Sequence, residues 1–200
     1  QVPAPARRYF LFTLGEWVYW RAPQLASALS TVDALGAAPG ADAREGVFRE
    51  WSEMIPADVA PGALRPDPRW SPDDTGRFWR GVGRHAVRVA RRSLSEELSA
   101  PWLLASTGRE RALEGVGEEI VGQWRFGPGR GLARFRDLNG IPTPLRAPVL
   151  RGVGRGLGEF TLCDETVWIE ARLAPVIDAF DRDRLEEGRV QTIPLARSCY

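Results

Sequence analysis

The sequence predicts a single α+β domain that is predominantly helical, with short strands near both termini. Three observations support this prediction: a glycine-containing motif recurs at nearly even intervals, Ser71–Asp74 is a strong helix start, and aromatic or β-branched segments lie towards both ends of the chain. A length of 200 residues with 44% hydrophobic content suits one domain that buries a core.

The recurring motif has the form charged-Gly-Val-Gly-charged. Arg80–Arg84 and Arg151–Arg155 are identical copies, Glu114–Glu118 is an acidic copy, and Glu45–Arg49 has Phe48 in place of the second glycine. The first glycines of the four copies lie 35, 34 and 37 residues apart, and such even spacing is typical of repeat architectures. We therefore expect degenerate repeat units near residues 41–70, 71–105, 106–140 and 141–175.

The copies predict helices that pack through their glycines. Trp79, Val82 and Ala86 share one helical face, as in the first helix of a tetratricopeptide repeat, but the Pro56–Pro68 and Gly127–Gly131 segments leave no room for the second helix of a regular array. Glycine inside a helix costs about 1 kcal/mol relative to alanine, which indicates that a neighbour approaches the backbone closely. A competing interpretation is that Gly-Val-Gly turns offer N–H groups to an anion.

The N-terminal third begins with an extended arm. Tyr9–Leu14 and Trp17–Trp20 predict a short strand pair, with a buried helix start as the competing interpretation. Pro23 then opens a helix that Gly36 ends, and the apolar spacing over 42–55 predicts an amphipathic helix.

Helix-capping residues and helix-breaking residues predict the remaining elements. Ser71 as the cap, Pro72 at the first helical position and two acids in the first turn predict a helix that runs to about Leu98. Another helix begins at Ser106, whereas alternating glycines leave the helicity of the fourth copy open. The C-terminal part predicts a strand at Val167–Ile169, a helix over Pro175–Glu187 that Gly188 ends, and a tail or edge strand over Val190–Tyr200.

The composition excludes several kinds of chemistry. All 27 basic residues are arginine, as a high-GC bacterial genome favours, so a phosphate-loop lysine and a Schiff-base lysine are both excluded. His85 is the single histidine, which excludes a two-histidine zinc centre, and Cys163 and Cys199 are the two cysteines, which are too few for a zinc ribbon or a disulfide framework. We predict no metal and no cofactor. We also predict no membrane span, since no apolar run reaches about 18 residues.

Arginines cluster in two stretches of the chain, 77–92 and 125–155. One interpretation is a surface that binds phosphates or another anion, and the other is a solvated helix face balanced by acidic neighbours. A net charge of +1 does not favour nucleic acid as the partner. The candidate anion-binding residues are Arg80, Arg84, Arg88, Arg151 and Arg155.

Eight tryptophans are many for a chain of this length. Core packing is the default interpretation, and a ligand pocket or interface is the alternative, because large amphipathic rings dominate both kinds of site. The candidate ligand-binding or partner-binding residues are Trp79, Trp102, Trp124 and Phe126. We predict no catalytic residue and interpret His85 as a structural histidine, whose pKa the neighbouring arginines would lower; if the protein is an enzyme, His85 and Cys163 are the candidates.

A family resemblance adds to this interpretation. Phe78–Gly83, followed 34 residues later by Glu114–Gly117, resembles the repeated aromatic-x-Gly-x-Gly units of uncharacterised proteins from bacterial enediyne gene clusters, over roughly residues 44–160. The resemblance implies an accessory role near an apolar polyketide product. It carries over no catalytic residue, because that family has no established activity.

Together these patterns predict a non-enzymatic binding or assembly subunit. It would hold a partner protein, a second copy of itself or an apolar small molecule through an aromatic-rich helical surface, with a cytoplasmic location favoured. The alternatives are an arginine-dependent protein that binds nucleic acid or another polyanion, and a cofactor-independent enzyme that uses His85 or carboxylates.

Overall fold

The computed structural model describes residues 4–90, 93–124, 138, 140–159 and 179–191, and this part of the chain consists of helices and their connections. It contains no strand, so the predicted α+β class is wrong for the described residues. The helices are α1 (Ala4–Arg21), α2 (Leu25–Asp33), α3 (Ala37–Met54), α4 (Pro72–Val89), α5 (Leu94–Leu98), α6 (Pro101–Leu104), α7 (Arg109–Trp124), α8 (Thr143–Glu159) and α9 (Ala179–Val190), with a 3₁₀ turn at Pro61–Ala63.

The predicted N-terminal strand pair is wrong, because both of its segments lie within the helix α1. Gly15, which lies between the two predicted strands, packs against the backbone of α3. The burial pattern has helical spacing, since the buried residues are Leu11, Phe12, Val18 and Tyr19 while Phe10, Trp17 and Trp20 are exposed. The predicted strand at Val167–Ile169 and the tail beyond Gln191 lie outside the described residues.

The predicted start of α4 is confirmed. Ser71 Oγ accepts a 3.1 Å hydrogen bond from the backbone N–H of Asp74, and Pro72 is the first helical residue. The helix ends at Val89 rather than near Leu98, and the short α5 begins afresh with Ser93 and Glu96 in a capping box.

One glycine-based expectation near the C-terminus is wrong, and one open question is settled. Gly188 lies inside α9 rather than ending it, and the fourth copy is helical, because it lies within α8. Neighbouring helices pack onto these glycines, and tertiary packing outweighs their low helix propensity.

The six long helices pack in the order α1, α3, α4, α7, α8 and α9. Ion pairs then join α3 to α8, since Arg49 Nη1 lies 3.0 Å from Glu159 Oε2 and Arg155 Nη2 lies 3.5 Å from Glu45 Oε1. The four helices α3, α4, α7 and α8 therefore surround a shared interior, with α1 packed on α3 and α9 packed on α8.

Four of these helix pairs cross at reciprocal glycines. A Cβ built on Gly83 of α4 would lie 1.9 Å from the carbonyl oxygen of Ala112 in α7, and one on Gly115 of α7 would lie 1.9 Å from that of Arg80 in α4. No side chain fits such a gap, and the hydrogen of glycine faces the carbonyl instead. The same arrangement recurs in the pairs Gly15 with Gly46, Gly117 with Gly152, and Gly154 with Gly188.

The spacing within the motif explains its form. Residues i and i+2 of a helix point about 200° apart, so the two glycines of one copy serve opposite neighbours. In α7, Gly115 faces α4 and Gly117 faces α8; in α8, Gly152 faces α7 and Gly154 faces α9. The intervening valine of each copy points into the core and is at most 1% exposed, as seen for Val47, Val82, Val116 and Val153.

Candidate functional site

The charged residues that flank the motif form an ionic cluster in the shared interior. The copies on α4 and α8 carry arginine at both flanks, and the copy on α7 between them carries glutamate at both flanks. Adjacent helices therefore face each other with opposite charge. We call this set the ionic core, and its members are Glu45, Arg49, Arg80, Arg84, Glu114, Glu118, Arg151 and Arg155.

Two glutamates are the centres of the ionic core. Glu45 Oε1 and Oε2 accept hydrogen bonds of 2.8 and 2.7 Å from Arg80 Nη2, and Oε2 also accepts one of 3.2 Å from Arg77. Glu118, whose side chain is fully buried, accepts a 2.7 Å hydrogen bond from Arg155 Nε and forms an ion pair with Arg84. Each carboxylate thus contacts more than one guanidinium.

Electrostatics within the core keep both glutamates ionised. Burial by itself raises the pKa of each, but the arginines outweigh it: Arg80, Arg155 and Arg77 act on Glu45, and Arg84, Arg155 and Arg80 act on Glu118. Both pKa values therefore lie below the ordinary range for glutamate. A buried ion pair of this kind is costly to break, because a single partner would remain charged in a low-dielectric interior.

The predicted anion-binding arginines lie mostly inside the bundle. Arg80 is 7% exposed and Arg84 is 2% exposed, and both face carboxylates of the ionic core. Arg88 bonds to the Ser52 carbonyl and lies 4.0 Å from Glu119, while Arg151 bonds to Glu114 at 3.3 Å. Among the described residues, the arginines of α4 therefore lie mainly in the interior, and their closest partners are carboxylates and a backbone carbonyl.

An aromatic cluster fills the interface between α3 and α4. Here the motif has Phe48 in place of the second glycine, and Gly81 of α4 meets the ring of Trp51 rather than a backbone. The rings of Trp51 and Phe78 stack with centroids 4.9 Å apart, and Phe48 lies 5.5 Å from Trp70 in an edge-on contact. Bulky rings thus occupy the one crossing in the row where the glycine pair is missing.

Trp79 lies at the end of this cluster and borders a cleft of about 310 Å³. The cleft lies between the 3₁₀ turn, α4 and α6, with Trp102 as its second indole wall and Arg65, Ser106 and Thr107 supplying polar groups. Glycine keeps both indoles in place: a Cβ on Gly108 would lie 1.8 Å from the ring of Trp79, and one on Gly62 would lie 2.8 Å from Cβ of Trp102. We call this site the aromatic cleft.

The structure brings together two of the four predicted aromatic site residues. Trp79 is 6% exposed and Trp102 is half-buried, and both line the aromatic cleft. The indole N–H of Trp79 is buried and has no acceptor among the described residues. The side chain of Trp124, and the whole of Phe126 and Cys163, lie outside the part of the chain that the structure describes.

His85 has a structural contact. It is 1% exposed, and its Nε2–H donates a 2.7 Å hydrogen bond to the carbonyl of Val59, which ties the loop after α3 to α4. Burial lowers the pKa of His85, and Arg88 lowers it further, so the imidazole is held in its neutral form. The lowered pKa agrees with the direction expected from the arginines around it.

The sequence did not identify Glu45 and Glu159 as partners of the arginines. A signal for Glu45 was present, because it flanks one copy of the motif with a charge opposite to that of the arginines that flank the next copy. The missed residues of the aromatic cleft, Gly62 and Gly108, carried no such signal, since their role depends on where two distant tryptophans lie.

The described helices include none that is long and apolar enough to cross a membrane. The described side chains also contain no cluster of His, Cys, Asp and Glu suited to a metal ion. The chain matches no protein-family model, no curated protein and no solved structure. The resemblance to enediyne-cluster proteins therefore stays a prediction.

Proposed function

We propose that this protein is a non-enzymatic binding subunit that holds an apolar small molecule in the aromatic cleft. The observation that carries the proposal is the pairing of two indole walls with a buried indole N–H that lacks an acceptor among the described residues. Pockets for small molecules are mostly apolar concavities with a few placed polar groups, and the aromatic cleft has this character.

The cleft also indicates what kind of molecule fits. A volume of about 310 Å³ suits a compact ring system, and flat indole walls favour a planar or conjugated one. The N–H of Trp79 requires an acceptor oxygen or nitrogen, because a buried donor without a partner costs about 1–3 kcal/mol. The implied accessory role near an apolar polyketide product agrees with such a ligand.

The test is a fluorescence titration with N-phenyl-1-naphthylamine, a neutral aromatic probe. We expect saturable binding to the wild-type protein and a dissociation constant at least about tenfold weaker for Trp102→Ala, because one wall of the cleft is lost. The matched control is Trp20→Ala, which removes an indole that is 62% exposed on α1, away from the cleft. Native mass spectrometry of the purified protein would identify a ligand that co-purifies.

Two results would contradict the proposal. One is the absence of saturable probe binding to the folded wild-type protein. The other is equal weakening in Trp102→Ala and Trp20→Ala, which would indicate that the probe adsorbs to exposed indoles in general.

A further inference from the structure

A second cleft, of about 370 Å³, opens onto the ionic core. Residues from α1, α3, α4, α7 and α8 line it, and its walls are mainly polar. The residues that matter for its chemistry are Glu45, Arg77, Arg80, Arg111 and Arg155. We call it the polar cleft; it does not share a lining residue with the aromatic cleft.

Arg80 lines the polar cleft, and one of its buried donors lacks a partner among the described residues. Its Nη2 is bonded to Glu45, but its buried Nε has no hydrogen-bond partner among the described residues. The nearest carboxylate oxygen in an ion pair with Nε belongs to Glu118 and lies 3.9 Å away, too far for a hydrogen bond. A guanidinium donor that is buried without a partner is costly, so each such group in a native protein calls for an acceptor.

Two further arginines have donors to spare. Among the described residues, Arg77 uses Nε for Glu45 and Nη1 for Asp74, while Arg111 uses only Nη1, for Glu114, although a guanidinium carries five N–H donors. The stem of Arg111 lies along α4 at Gly76, where a Cβ would be 3.6 Å from its Cγ. Arg111 is therefore held beside Arg77, at the mouth of the polar cleft.

Most carboxylates of the polar cleft are already paired. Arg8 binds Asp42 at 3.3 Å, Arg49 binds Glu159 at 3.0 Å, and Glu45 is bound by the arginines of the ionic core. Asp73 is exposed in the first turn of α4, where the positive end of the helix dipole offsets its charge. An incoming anion would therefore meet guanidinium donors, and Asp73 is the one lining carboxylate without an ion-pair partner among the described residues.

We propose that the polar cleft binds a small oxyanion, a carboxylate or phosphate group, through Arg77, Arg80 and Arg111. Guanidinium groups suit this chemistry, because their planar N–H pairs match the oxygens of carboxylates and phosphates. The direction of the pKa shift of Arg80 supports the proposal. Burial lowers this pKa, Arg155 and Arg84 lower it further, and Glu45 and Glu118 offset these effects only in part. A bound anion would stabilise the charged form of the guanidinium.

The test is calorimetric titration of the whole protein with inorganic phosphate and, separately, with acetate, at an ionic strength held constant with sodium chloride. We expect saturable binding of at least one of these anions and a dissociation constant at least about tenfold weaker for Arg111→Gln, because a charge-assisted hydrogen bond is lost. Arg111 is about half-exposed, and Glu114 keeps its bond to Arg151, so this variant is expected to fold. Circular dichroism checks its helix content.

The matched control is Arg69→Gln, which removes the same charge from a side chain that is 85% exposed and lies outside both clefts. We expect its anion affinity to equal that of the wild type. Trp102→Ala should also keep the wild-type anion affinity, so the anion titration tests this inference independently of the proposed function. The proposal is overturned if neither anion binds saturably, or if Arg111→Gln and Arg69→Gln lose affinity equally. Much tighter, steeply salt-dependent binding of a single-stranded oligonucleotide would also overturn it, because it would indicate an extended polyanion surface.

Discussion

Glu118 and Glu119 are neighbours in α7, yet their environments shift their pKa values in opposite directions. Burial raises the pKa of both, but Glu118 faces three arginines of the ionic core, which lower its pKa below the ordinary range. Glu119 is 8% exposed and its nearest cation is Arg88 at 4.0 Å, so burial dominates and raises its pKa to about 7. Helical geometry explains the contrast, since consecutive residues point about 100° apart.

The raised pKa of Glu119 predicts a pH-dependent stability. Between the ordinary value of 4.5 and about 7 the folded protein binds this proton and the unfolded chain releases it. The contribution of Glu119 to stability therefore falls as pH rises through this window and stays low above it. We expect Glu119→Gln to gain about 2–3 kcal/mol relative to the wild type between pH 5 and pH 8, measured by urea unfolding.

Comparing the two proteins at each pH removes the opposite effect of His85, which both contain. The lowered pKa of His85 decreases stability below pH 6.5, where the unfolded chain takes up a proton that the folded protein resists. A difference between wild type and Glu119→Gln that does not change from pH 5 to pH 8 would contradict the account of Glu119.

At the residue scale, the sequence predicted a helical valine face and a structural histidine, because both depend on local pattern and chemistry. The valine of every copy is buried and His85 bonds to a backbone carbonyl. The partners of Arg80 and Arg84 could not be predicted with the same ease. From sequence alone, a long charged side chain is expected to face solvent unless the helix opposite it is known. For Arg80 and Arg84 that helix lies about one repeat away in the chain.

At the scale of elements, a local capping signal specifies the start of α4, whereas contacts with neighbouring helices specify the helicity of α1 and α8. Ser71 and Pro72 fixed the start of α4 because a cap is a local signal. The helicity of α1 was not fixed locally: its aromatic, β-branched sequence suits a strand, and the contact of Gly15 with α3 decides for the helix. The same holds for α8, whose glycines weaken the isolated helix but allow α7 and α9 to pack against it.

The alternation of charge between α7 and α8 predicts a measurable coupling. Glu114, whose side chain is 3% exposed, bonds to Arg151 at 3.3 Å. We expect Glu114→Arg and Arg151→Glu each to destabilise the protein, the first by about 3 kcal/mol or more, because each leaves like charges facing at a buried interface. The double variant should recover at least about 1 kcal/mol of the summed loss in urea unfolding.

The control for this cycle is the loop pair Asp67 and Arg69 before α4, in which the Arg69 side chain is 85% exposed. The coupling of these two charges should stay within about 1 kcal/mol, because surface ion pairs are screened by solvent. Equal couplings for the buried pair and the loop pair would show that the alternating charges do not set the pairing of α7 with α8.

At the scale of the molecule, the positions of the motif glycines, and the one position where Phe48 replaces a glycine, determine how neighbouring helices pack. Reciprocal glycines hold α1 to α3, α4 to α7, α7 to α8 and α8 to α9. Phe48 breaks the sequence of glycines between α3 and α4, and the aromatic cluster that fills this interface extends through Trp79 to the aromatic cleft. The departure from the motif therefore lies beside the proposed binding site.

The most direct test of this account compares two alanine substitutions in α7. A Cβ at Gly117 would lie 2.0 Å from the carbonyl oxygen of Val149, whereas one at Gly122 would meet, among the described residues, only the Glu119 carboxylate, at 3.8 Å. In urea unfolding we expect Gly117→Ala to lose at least about 2 kcal/mol, and Gly122→Ala to be neutral or to gain up to about 1 kcal/mol from better helix propensity. If Gly117→Ala is as stable as Gly122→Ala, close backbone contact does not hold these helices together.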